Sequence, residues 1–191
     1  MISEMLFHRR AWSWWMPALQ DALAMARQGE HRDAEAWILE TLGDASVDAG
    51  DAAASIDLYR EAMTIRAALG DRGGLAIGHV GLCKAFSKTG DYDAAIVHCE
   101  KARRISVEVD DMWQYSVATA YLAMARAALG LVEEASDLLS ATRAALDNAG
   151  DLMSSERVAV LQRKHGAGVA DVAVGDDRLD RQLDSACANS F

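Results

Sequence analysis

The sequence predicts an all-α fold, a right-handed superhelix (α-solenoid) of stacked antiparallel helix pairs. The first observation behind this is composition: a single proline, 6% aromatic residues and abundant alanine and leucine favour helix over a sandwich or barrel. The second is self-similarity, with Gly50-Asp51, Gly90-Asp91 and Gly130-Leu131 recurring every 40 residues. The third is a matching set of breaks, Gly70-Asp71, Asp110-Asp111 and Gly150-Asp151, with the same period of 40 but offset by 20. Two helices and two short turns therefore make one unit.

Taken in chain order, residues 1–32 read as an N-terminal cap or partial unit. Residues 11–28 match a second helix, with Leu19 and Ala22 in register with Tyr59 and Ala62, and MISEMLFHR supplies only a stub of a first helix. The run HRRAWSWWMPALQDALA imitates an export signal, but Glu4 precedes its arginines, Gln20 and Asp21 follow closely, and it keeps the repeat register. Trp12, Trp14 and Trp15 cluster here, as large side chains capping a vacant face or as a self-association patch of a homodimer.

Three full units follow, at 33–71, 72–111 and 112–150. Apolar positions at i, i+3, i+4 and i+7 predict first helices over 33–48, 73–88 and 113–128, and second helices over 52–68, 92–108 and 132–148. Gly50, Gly90 and Gly130 sit where a helix ends in a left-handed residue, and Asp51 and Asp91 can cap the helix that follows. Residues 151–166 predict a closing helix stopped by Gly166. The acidic stretch 167–191 reads as a flexible tail, with a docked amphipathic helix through Leu179, Leu183 and Ala186 as the alternative.

The stretches LGDASVDAGDAAASIDLYREAM (42–63), LCKAFSKTGDYDAAIVHCEKA (82–102) and LAMARAALGLVEEASDLLSATRAA (122–145) resemble tetratricopeptide repeats of a long-period type. Leu42, Leu82 and Leu122 hold the large apolar site of the first helix, and Gly43, Cys83 and Ala123 the small site beside it. Ser55, Ala95 and Ala135, then Ala62, Ala102 and Thr142, hold the small sites of the second helix, where close helix approach demands them. Thr142 is the bulkiest of these. The resemblance implies a protein- or peptide-binding scaffold, similar to arrays in bacterial regulatory proteins.

In such an array the first helices line a concave groove. The register places Trp37, Glu40, Asp44 and Asp48 there from the first unit, Ile77, Val80, Lys84 and Lys88 from the second, and Val117, Tyr121 and Met124 from the third. Arg157 and Lys164 come from the closing helix. The face thus runs from acidic, through two lysines, to apolar, suiting a peptide or partner helix with a basic end. Asp44, Lys84 and Met124 share one site, so the family's carboxylate-gripping arrangement is absent.

His79, Cys83, His98 and Cys99 are the remaining chemical cluster. Their register reads Cys83 and Cys99 as small core side chains, and His98 as pointing about 100° from Cys99 around its helix. A three-ligand metal subset, His79, Cys83 and Cys99, is the alternative, as is a small-molecule sensor or enzyme using the middle unit. No phosphate-binding loop, nucleophile elbow or paired-histidine zinc helix stands out, so no catalytic residue, metal or cofactor is expected. A net charge of -10 disfavours nucleic acid. Three cysteines do not form a secreted disulfide framework, which points to the cytoplasm, and no stretch approaches a membrane span.

Overall fold

The computed structural model describes residues 2–166, with the side chains of 2–14, 157, 160, 161 and 163–166 excepted. Trp12, Trp14, Arg157, Lys164 and the 167–191 tail therefore lie outside the described residues or side chains. Eight helices follow in order: α1 (Ile2–Gln28), α2 (Arg32–Ala49), α3 (Ala52–Leu69), α4 (Arg72–Thr89), α5 (Tyr92–Glu108), α6 (Met112–Ala128), α7 (Val132–Ala149) and α8 (Leu152–Gly166). The helices from α2 onward keep within one residue of the bounds read from periodicity. The N-terminal stub does not: residues 2–28 form one unbroken helix that carries Pro17 within it.

The turns explain why the period is so regular. Asp51, Asp71, Asp91 and Asp111 each accept a hydrogen bond from the backbone N–H three residues on, at Ala54, Gly74, Ala94 and Gln114, and Asp151 does the same for Ser154. Each aspartate satisfies a donor that the first helical turn leaves open. Before four of these caps the chain turns through left-handed glycine, and Asp110 takes the same conformation, at φ 58°, before Asp111. Aspartate tolerates that region better than most side chains.

Each helix packs on the next in sequence, and α2, α4, α6 and α8 also pack on one another in succession. The second helices have no contact of comparable extent with each other. The first helices therefore sit closer together and form the inner side of the array. Between the layers lie three apolar clusters, one with Leu39, one with Leu82 and Ala85, and one with Leu122 and Leu139. Thr142, though larger than its alanine counterparts, is buried too.

The tightest joint is made by Tyr59. This fully buried ring of α3 enters between α2 and α4, where a Cβ on Gly43 would stand 3.0 Å from it and one on Gly81 would overlap it outright. Glycine at 43 and 81 is thus required by a close approach. Gly81→Ala should destabilise the fold by about 1–3 kcal/mol, the range for overpacking. Gly73→Ala, on the same helix but with no neighbour nearer than 3.6 Å, should be neutral or stabilise by up to about 1 kcal/mol. Urea unfolding of both variants checks the contrast.

Candidate functional site

The inner face is built from equivalent positions on α2, α4 and α6. One row, Trp37, Ile77 and Val117, repeats every 40 residues. Trp37 is 58% and Ile77 40% exposed, and Val117 is half-buried against the third unit's core. Val80 and Met124 lie beside this row, partly buried. Apolar side chains at the same place in successive units, open in the first two and half-buried in the third, make a stripe across the stacked helices.

The charges beside the stripe are not laid out for a ligand in the way their register suggests. Glu40 is buried, and Arg66 of α3 grips both its oxygens at 3.0 Å. Arg66 also pairs with Asp71 at 3.0 Å and with Asp33. Burial pushes the Glu40 carboxyl up while the guanidinium opposes it, and the hydrogen bond to Glu40 raises Arg66. Lys84, expected to project into the groove, is buried instead, with Nζ 3.5 Å from both Asp44 and Asp48. Asp44 also accepts a hydrogen bond from the Tyr59 hydroxyl at 2.8 Å, and burial holds that phenol well above its ordinary pKa.

Most charges of the predicted groove therefore have partners within the array: Lys84 with Asp44 and Asp48, and Glu40 with Arg66. The reason is physical: a lysine or glutamate taken from water without a partner is too costly to bury. Tyr121 is buried as well, while Lys88 stays half-buried. Arg66 escaped the sequence reading, although a basic residue in register with Ser106 and Leu146 at a core position was a usable signal.

The central unit holds the second cluster. Cys83 and Cys99 are not two separate core side chains; they form a disulfide between α4 and α5, with Cα atoms 5.7 Å apart. The register contained the clue, since the equivalent pair in unit one is Gly43 against Tyr59, which are in contact. The bond also removes the cysteine-based reason for assigning a reducing compartment. His98 meets His79 instead: their Nδ1 atoms lie 2.9 Å apart, one ring donating to the other, and Phe86 stacks on the His98 ring.

Desolvation holds both imidazoles down, to about 4, with Lys101 adding to the effect on each, Arg104 on His79 and Arg60 on His98. Both rings are neutral at pH 7. Among the described residues no group of three or more His, Cys, Asp or Glu is placed to hold a metal ion, and no helix is long and apolar enough to cross a membrane. No protein-family model matches the chain, and no curated protein does either.

The histidine pair makes stability depend on pH with a definite sign. An unfolded histidine titrates near 6.5 and these titrate near 4. Between those values the unfolded chain binds more protons, so the pair's contribution is complete above about pH 6.5 and is lost as pH falls towards 4. A His79→Leu/His98→Leu variant, which copies Leu39 and Leu58, should show a shallower fall over that interval in denaturation midpoints measured at successive pH values.

Proposed function

We propose that this chain is a non-enzymatic binding module that holds a peptide or helix of another protein along its inner face. The observation that carries this is the row of Trp37, Ile77 and Val117 at one repeated position, the first two exposed and the third half-buried. Apolar side chains exposed in a row cost solvation free energy unless something covers them. A partner with apolar residues spaced to meet successive first helices would do so, the helix-in-groove mode of recognition.

Specificity on this surface comes from shape and apolar contact more than from charge, because Glu40, Asp44, Asp48 and Lys84 already have partners within the array. The similarity of the repeats to tetratricopeptide units agrees with such a role and implies a bacterial regulatory or assembly system as its setting. Net charge of -10 argues against nucleic acid as the occupant.

A second reading has its own support. Trp15 is 66% and Met25 71% exposed on α1, which packs on α2. Exposed large apolar groups of this kind favour self-association, giving a homodimer through α1.

Two variants separate the readings. Ile77→Glu, at an exposed position, should leave the fold intact and weaken binding of a captured partner by at least tenfold in calorimetric titration, whereas Trp15→Glu should leave that affinity unchanged. If Trp15→Glu alone lowers the mass seen in sedimentation velocity, and Ile77→Glu changes no affinity, the groove assignment is wrong and α1 is the interface.

A further inference from the structure

The central unit departs from its neighbours at two contacts in one hairpin. Where unit one packs Tyr59 on Gly43 and unit three has Leu139 opposite Ala123, unit two has Cys99 and Cys83. A large side chain filling the space left by a small one is the non-covalent solution, and two cysteines do not reproduce it. Unbonded thiols must also stand further apart than bonded sulfurs, inside a contact where both residues are fully buried.

Four residues before Cys83 on α4 lies the second departure. Unit one has Leu39 and Leu58 at this place, and unit three Thr119 and Leu138; unit two has His79 and His98. The two imidazoles satisfy each other through a single hydrogen bond and give up apolar packing for it. Both exchanges weaken the same pair of helices, α4 and α5. The disulfide compensates, since closing a loop over a sequence separation of 16 is worth roughly a hundredfold in the folding equilibrium.

We propose that the central hairpin is a redox-sensitive hinge: opening the Cys83–Cys99 bond loosens α4 against α5 selectively and uncouples the first half of the array from the second. The reaction is thiol–disulfide exchange with a dithiol reductant. The S–S bond breaks, two S–H bonds form with two electrons and two protons, and the reductant becomes its own disulfide. Because both sulfurs are buried, exchange proceeds through transient opening of the hairpin, the motion that reduction then makes easier. The fold-level effect is independent of what the inner face binds.

Hydrogen exchange read by mass spectrometry tests this on the full chain, oxidised and after dithiothreitol, with the two-hydrogen mass gain confirming reduction. Protection in α4 and α5 should fall at least tenfold more than in α2, α3, α6 and α7. Cys83→Ala/Cys99→Leu, which installs the pair of unit three, should keep its protection under both conditions. Unchanged or uniformly lowered protection in the reduced wild-type chain would overturn the hinge, as would alkylation of both thiols in the air-oxidised native protein.

Discussion

No helix pair in this chain can bury its own apolar face, so every unit depends on how closely the next one can approach. That approach is set at a few small residues, above all Gly43 and Gly81, which admit the Tyr59 ring between α2 and α4. The ring does two things at once. Its body fills the space between adjacent first helices, and its hydroxyl emerges beside Asp44, anchoring the carboxylate that Lys84 also approaches. Packing density and buried charge in the first half of the array thus share one support.

The electrostatics follow from the same closeness. With the helices this close, long charged side chains near the inner face meet partners on other helices before they reach solvent. Arg66 connects α2, α3 and the start of α4 through Glu40, Asp33 and Asp71. Lys84 ties α4 back to Asp44 and Asp48 on α2. Both sets are local to units one and two, and they leave the apolar row as the accessible character of the inner face.

Helix boundaries were legible because they depend on near neighbours in sequence: an aspartate cap, a left-handed glycine, a 3.6-residue period. Contacts between units were legible only as register. The positions of Cys83 and Cys99 were placed correctly relative to Gly43 and Tyr59, yet their bond needed the knowledge that these positions touch. The contact between His98 and His79 was not legible, because a helical angle on α5 does not say how far an imidazole reaches towards α4. Exposure failed for Glu40 and Lys84, since a charged residue reads as solvated until its partner, 26 or 40 residues away, is known.

The Tyr59 slot also fixes the order of the units. The residue one period after Gly81 is Tyr121. Excising the middle unit in frame, by loss of 72–111, would bring α6 to the place of α4 and set the Tyr121 side chain where the Tyr59 ring now requires glycine. The units look like copies that duplication could lengthen or deletion could shorten, but their joints have become individual. Loss of the middle unit is therefore obstructed at this joint, whatever the likeness of the units on either side.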